Sequence, residues 1–342
     1  MSELTNLDWG KLPFTYSKTD YNVRCYYRDG KWGELEVSSS EYFSIHMSAI
    51  ALHYGQESFE GLKAFRGKDG KIRLFRWEEN AKRMQSSSRG IMMPEFSTEK
   101  FKEAIFKAVK LNERFVPPYG SGASLYIRPV LFGITPGIGV KPSEDYLFVV
   151  FVMPVGPYFK AGFKPVDMLL VDQYDRAAPL GTGNIKVGGN YAAGMKVTEM
   201  AHDRGFANVI FLDAKEKKYI DECGPANFFG IKGNTYVTPE SLSILPSITN
   251  KSLIKIAESL GFKAERRKVP IEELAEFDEV GACGTAAVIS PIGRIVENAS
   301  NKEHIYSKDG KPGKVSTKLY ETLLGIQNGD LPDEFGWVSI VE

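Results

Sequence analysis

Lys186 stands in the stretch GTGNIKVGGNYAAG, residues 181–194, among five glycines. A lysine amine on a flexible stem can bond covalently to an aldehyde and swing away after transfer, provided its surroundings are partly desolvated. Glycines gather where a chain turns tightly or where something must approach the backbone closely. Two phosphate-loop readings fail on spacing. A Walker A loop needs Lys followed by Ser or Thr, and Lys186 precedes Val187 and Gly188. A dinucleotide fingerprint needs a third glycine where GTGNIK has the lysine. What remains is an amine with room beside it for a planar ligand.

If that ligand is pyridoxal phosphate, further groups are required. Tyr191, at the start of a helical stretch, offers a phenol to an oxygen of the ring. Glu222, in YIDECGPANFF, offers a carboxylate to the ring nitrogen, keeping it protonated and the ring an electron sink. In SILPSITNKSL, the amides of Ile248 and Thr249 open a helix, and unpaired N–H groups there bind anions. Arg83, in NAKRM, offers a bidentate clamp for the phosphate. Each residue alone has an ordinary alternative: a solvated lysine, a core tyrosine, a surface turn acid, simple Ser/Thr capping, an exposed helical arginine. Together they meet the demands of one cofactor.

The elements that must position these groups can be read from periodicity. Helices are expected over Glu78–Ser88, over 97–115 with Ser97 as N-cap, over Asn190–Arg204, Thr249–Leu260 and Ser316–Ile326. Strands are expected over 124–133, 146–153 and 166–171, in pairs around NVIFLDAKEKKYIDE and NFFGIKGNTYVT, near 277–283, and just before Pro246. Strands cluster and helices are interspersed without a βαβ rhythm, which favours α+β. A chain of 342 residues exceeds the usual single-core size. GPYFKAGFKP carries two glycines and two prolines, so residues 156–166 are the expected linker between domains 1–155 and 167–342.

Composition narrows the function. Hydrophobic residues are 43% and charged residues 25%, with 43 basic and 43 acidic side chains. That balance gives no basic excess for nucleic acid or a membrane surface, and it eases self-association. The opening MSELTNLDWGKLPF has no apolar signal core, and YLFVVFVMPV is too short to span a bilayer. Three scattered cysteines form no metal-ligand spacing, so no metal is expected and a reducing cytoplasm fits.

An ordered set of segments then resembles one family, the class IV, fold type IV aminotransferases, and among them the branched-chain amino-acid aminotransferases. The segments are HYGQESFEGLKAFRG, RLFRWEENAKRM, SLYIRPVLFG, MPVGPYF, NIKVGGNYAAG, IDECGPANFF, ILPSIT and ACGTAAVISP. The resemblance implies a small N-terminal α/β domain and a larger pseudo-barrel domain. It also implies transfer of the amino group of leucine, isoleucine or valine to 2-oxoglutarate. It matches Lys186 to the Schiff-base lysine, Tyr191 to the partner of the ring oxygen and Glu222 to the partner of the ring nitrogen. Arg83, Ile248, Thr249 and Thr285 match the phosphate site. Tyr126, Thr285 and Ala286 match the receivers of the substrate α-carboxylate, and Arg128 the residue meeting glutamate's distal carboxylate. Phe59, Tyr158 and Tyr54 would wall an apolar pocket, with Tyr54 donated by the neighbouring subunit of a homodimer. YIR places Tyr126 and Arg128 two apart, on one strand face.

Departures from the family pattern are Pro225 for a common threonine, Ser247 and Asn250 for a flanking Gly and Arg, and Lys18 for a pocket aromatic. Ala287 and Ser290 stand at the positions of the thiol pair of some animal members, so no CxxC redox switch is expected. Rival readings are a D-amino-acid aminotransferase or an aminodeoxychorismate lyase-like enzyme within the same class, or a phosphate-ligand binding protein without catalysis.

Overall fold

The computed structural model describes residues 4–157 and 162–342. The chain forms two compact units: Met1–Lys160 with Ile185–Gly188 and Gly325–Glu342, and Ala161–Asn184 with Gly189–Leu324. In order, the elements are β1 (Asn22–Arg28), β2 (Lys31–Trp32), β3 (Glu36–Ser38), α1 (Ile50–Tyr54), β4 (Glu57–Phe59), β5 (Leu62–Arg66) and β6 (Ile72–Phe75). Then come α2 (Trp77–Gly90), α3 (Thr98–Leu111), β7 (Ser124–Gly133), β8 (Tyr146–Val155), β9 (Val166–Val171), α4 (Gly188–Ala192) and α5 (Met195–Asp203). β10 (Asn208–Phe211), β11 (Glu222–Cys223), β12 (Ala226–Lys232), β13 (Thr235–Pro239), α6 (Ile248–Ser259) and β14 (Lys263–Arg267) follow. The last are β15 (Glu279–Gly284), β16 (Val288–Glu297), β17 (Glu303–Ile305), α7 (Lys314–Asn328) and β18 (Val338–Val341).

In the first unit the sheet runs β18-β6-β5-β7-β8-β1-β2. Alternation along β7 and β8 sorts their side chains to two faces. Leu125, Ile127, Leu131, Phe148, Val150 and Val152 join the apolar stripe of α3, Phe101, Ala104, Ile105 and Ala108, in one core. Each large aliphatic chain buried there contributes roughly 1.5–3 kcal/mol. Ser97 caps α3 as expected, its Oγ accepting the Lys100 N–H at 3.1 Å. The opposite face carries Tyr126 and Arg128. Register adds Lys63 opposite Tyr126 and Phe59 opposite Val130, so these chemistry-bearing residues share a face.

In the second unit the sheet runs β10-β9-β16-β15-β12-β13-β14. β9 lies one strand in from the β10 edge and is apolar on both faces. Leu169 and Val171 pack with Val197 and Ala201 of α5, and Met168 and Leu170 pack with Ile210, Phe228 and Val280. β9 pairs in parallel with both β10 and β16, which accounts for an apolar run without polar alternation.

Four expectations need correction. The helix expected over 190–204 is two helices, α4 and α5, because the chain turns at Gly194, whose N–H donates to the Tyr191 carbonyl. The helix expected to 115 ends at Leu111 and continues only as a short 3₁₀ turn. The strand expected before Pro246 is a turn. There the Leu245 N–H donates to a carboxylate rather than to a ladder. Finally, the sequence reading runs the second domain unbroken from 167 to the C-terminus, whereas 185–188 and 325–342 belong with the first unit. β18 pairs with β6, and the Lys186 carbonyl accepts the Phe59 N–H, which ties both segments there. Among the described residues, no helix is long and apolar enough to cross a membrane.

Candidate active site

The first unit positions Lys186 by its main chain. The Lys186 N–H donates to Ser87 Oγ at 2.9 Å, its carbonyl accepts from Phe59 N–H at 3.2 Å, and Gly188 N–H donates to Glu57 Oε1 at 2.5 Å. A Cβ on Gly188 would overlap that carboxylate, so the glycine after the lysine serves a close approach by the protein itself. The amine, Nζ, lies 4.6 Å from the Phe59 ring centroid, and the Arg128 guanidinium carbon lies 4.8 Å from the same ring. Arg128 Nη2 donates to Tyr126 Oη at 3.0 Å, while its Nε is buried with no hydrogen-bond partner. Gly61 admits the Tyr126 hydroxyl, since any side chain there would overlap it. Lys186, Phe59, Tyr126 and Arg128 therefore form one cluster, four of the residues that the family resemblance groups together.

Arg83 extends this polar group differently from expectation. Its Nε and Nη2 each donate to Glu60 at 2.8 Å, and Glu60 is fully buried, also accepting from Asn80 Nδ2 at 2.7 Å. A phosphate at Arg83 would therefore meet the Nη1–Nη2 edge, because Nε–Nη2 already grips a carboxylate. Glu60 was not singled out in the sequence. The signal was there in Asn80 and Arg83, three apart on one face of α2 and able to address a single acid. Tyr54 ends α1, is 41% exposed, and donates its hydroxyl to the Ile138 carbonyl. Lys18 pairs with Glu41 at 2.9 Å. Tyr158 lies outside the described residues.

The second unit carries the remaining groups, among them Glu222, which is 3% exposed. Its Oε1 accepts from Leu245 N–H at 2.5 Å and from Asn227 Nδ2 at 3.3 Å, and its Oε2 lies 3.5 Å from Arg176 Nε. Two residues past Leu245, Ser247 caps α6 by accepting the Asn250 N–H at 3.2 Å. Ile248 and Thr249 are the first two residues of α6 and both are buried. At a helix start such amides lack an intrahelical acceptor and suit an anion. Asn250, a departure from the family pattern, is structural: it accepts from Tyr236 Oη and donates to Asn227 and Thr238. Pro225 sits in the two-residue turn between β11 and β12, beside Gly224 at φ +53°, where no ladder N–H is needed.

Thr285 and Ala286 form the turn joining β15 to β16. The next strand begins at Val288 with φ +67°, a left-handed backbone that β-branched residues rarely adopt. Tyr191 is half-buried in α4. Burial pushes the Cys223 and Cys283 thiols well up from their ordinary range, which keeps both from thiolate chemistry.

Comparison with known proteins gives the family. The amino-transferase class IV family model matches residues 57–295. The branched-chain-amino-acid aminotransferase of Haemophilus influenzae is 49% identical over 99% of this chain and 100% of its own. A branched-chain amino acid aminotransferase of T.th., solved with pyridoxamine 5′-phosphate, superposes with a TM-score of 0.79 at 26% identity, covering 95% of this chain and 99% of that one. The same T.th. protein complexed with N-(5′-phosphopyridoxyl)-L-glutamate gives 0.77 at 26% identity and the same coverage. The architecture is the α+β fold of those enzymes. The chain belongs to the class IV aminotransferase family, on the branch whose curated members are branched-chain-amino-acid aminotransferases.

Proposed function

We propose that this protein transfers the amino group of L-leucine, L-isoleucine or L-valine to 2-oxoglutarate with pyridoxal 5′-phosphate as cofactor, giving branched 2-oxo acids and L-glutamate. The donor set fits that cofactor. Lys186 supplies an amine beside an aromatic ring, Glu222 a buried carboxylate, and Ile248 and Thr249 amides at a helix start. When bound, the pyridinium ring supplies an electron sink for charge developing at the substrate Cα.

The residues of this chain do the rest. Lys186 Nζ tethers the cofactor and, once released, carries a proton to and from the substrate carbon. Glu222 would accept the ring N–H, the Tyr191 hydroxyl would donate to the ring oxygen, and Arg83, the Ile248 and Thr249 amides and Thr285 would donate to the phosphate. Tyr126 and the Thr285–Ala286 turn receive the α-carboxylate. Arg128, with one guanidinium nitrogen lacking a partner, suits the second carboxylate of glutamate. Phe59 gives aliphatic side chains an apolar wall, to which the family resemblance adds Tyr158. Tyr42 and Met47, each 82% exposed, and Leu52, 60% exposed, support self-association through the first unit, with Tyr54 offered to a partner copy.

The observation carrying this reading is the Lys186 amine on the Phe59–Arg128–Tyr126 cluster. The test is Lys186→Ala. Turnover should fall by at least about 10³-fold and borohydride should no longer fix the cofactor to the protein. Normal turnover in that variant, or a substrate panel in which D-alanine outruns L-leucine, would overturn the assignment.

A further inference from the structure

Arg176, in YDRAAPLGTG, belongs to none of the groups assigned above, yet it is 8% exposed. Its Nη2 donates to the Gly183 carbonyl at 3.1 Å and also to the Ser243 carbonyl. Its Nε stands 3.5 Å from Glu222 Oε2 and has no hydrogen-bond partner of its own. One guanidinium thus touches three segments far apart in sequence. They are the chain three residues before Lys186, the turn four residues before Ser247, and the carboxylate between them. Gly183 shows how tight the crossing is, because a Cβ there would run into the Ser243 backbone.

We propose that Arg176 is a positioning residue for the cofactor: it fixes the Glu222 carboxylate, compensates its charge, and locks to it the chain leading to Lys186 and the turn leading into α6. This rests on the reading that Glu222 meets the ring nitrogen. A charge that offsets a carboxylate this deeply buried does what neutral N–H donors such as those of Leu245 and Asn227 cannot. Only a planar fork can meet a carboxylate from one edge and two carbonyls from another, which a lysine point charge cannot do. An Nε that approaches Glu222 without hydrogen-bonding it leaves the carboxylate able to turn toward a ring N–H while keeping its countercharge.

The test is a double-mutant cycle of Arg176→Met and Glu222→Gln, read in two ways. In thermal melts of the apoprotein, the double variant should lose less stability than the losses of the two single variants added together, because each single variant removes one of two buried charges that offset each other. In titrations of apoprotein with pyridoxal phosphate, Arg176→Met should weaken affinity roughly tenfold or more, yet add less than about twofold in the Glu222→Gln background. Arg176→Lys, which keeps the charge but not the fork, should recover affinity only in part, and it replaces Arg176→Met should that variant not fold. Fully additive effects in both readouts would reduce Arg176 to a loop staple and overturn the proposal. Unchanged affinity in Glu222→Gln alone would instead overturn the role of Glu222, even with coupled melts, so the two failures are distinguishable.

Discussion

Arg83–Glu60 in the first unit and Arg176–Glu222 in the second are both buried arginine–glutamate pairs, and they are built differently. In the first, two guanidinium nitrogens meet the two carboxylate oxygens at 2.8 Å, with Asn80 closing the remaining approach. In the second, the guanidinium stands off at 3.5 Å and gives its hydrogen bonds to main-chain carbonyls, while the carboxylate is held by a backbone N–H. A closed pair is a structural clasp: the carboxylate is fully satisfied and takes the Nε–Nη2 edge of the guanidinium, leaving Arg83 only its Nη1–Nη2 edge for a ligand. An open pair keeps the charge buried but leaves its geometry adjustable. That difference separates a carboxylate that holds α2 to the sheet from one suited to meet a ring nitrogen.

The largest effect should come from breaking the closed pair. Arg83→Met strands Glu60, which is 0% exposed, and should destabilise the fold by about 3–5 kcal/mol; adding Glu60→Leu should return most of that. Urea unfolding of the three variants measures it. A loss below about 1 kcal/mol for Arg83→Met would mean that the pair is not a clasp. A middle-sized effect tests whether the second unit also stores backbone strain. Val288 and Val280 are both buried, at 6% and 1%, but only Val288 has φ +67°. Val280→Gly should cost about 2–4 kcal/mol from lost burial and added chain entropy. Val288→Gly loses similar burial but relieves roughly 1–3 kcal/mol of strain, so its cost should fall to about 1 kcal/mol or less. Equal costs at the two positions would remove the argument that the Thr285–Ala286 turn is held under tension.

Much of this was legible in the sequence because local patterns dominate locally. The 124–133 and 166–171 strands carry their apolar content with clear bounds, and Ser97 is a cap because its oxygen meets an amide three residues on. Lys186 and its cluster were legible through the ordered motifs rather than through spacing. Less was legible where a side chain answers to remote backbone. Arg176 is recognisable only once the Gly183 and Ser243 carbonyls converge on it, and nothing near 176 announces either. The turn before α6 looked like a strand because Ile244 and Leu245 are apolar. Its actual conformation is set by Glu222, more than twenty residues earlier, capturing the Leu245 N–H. The glycines around Lys186 signalled close approach correctly, but at Gly183 and Gly188 the approaching atoms belong to the protein.

Glu57 supplies the smallest and sharpest test, because it is a carboxylate near an arginine with no guanidinium hydrogen bond. Burial pushes its pKa up, and the Gly188 N–H and the charge of Arg128 pull the other way without winning. A raised carboxyl means that the folded state prefers the protonated form. The associated stability is full below the unfolded value of about 4.3 and is lost as pH rises through the folded value. At neutral pH an ionised Glu57 is therefore a net cost, whereas a glutamine at 57 keeps an oxygen for the Gly188 N–H and carries no charge. Glu57→Gln should raise stability by about 1 kcal/mol or less at pH 8, leave it nearly unchanged at pH 4, and remove the corresponding slope between. Glu57→Ala, which strands the Gly188 N–H beside Lys186, should instead destabilise and lower turnover. If Glu57→Gln weakens the fold at pH 8, the charge is being used, and Glu57 with Arg128 would join Arg176–Glu222 as a second open pair.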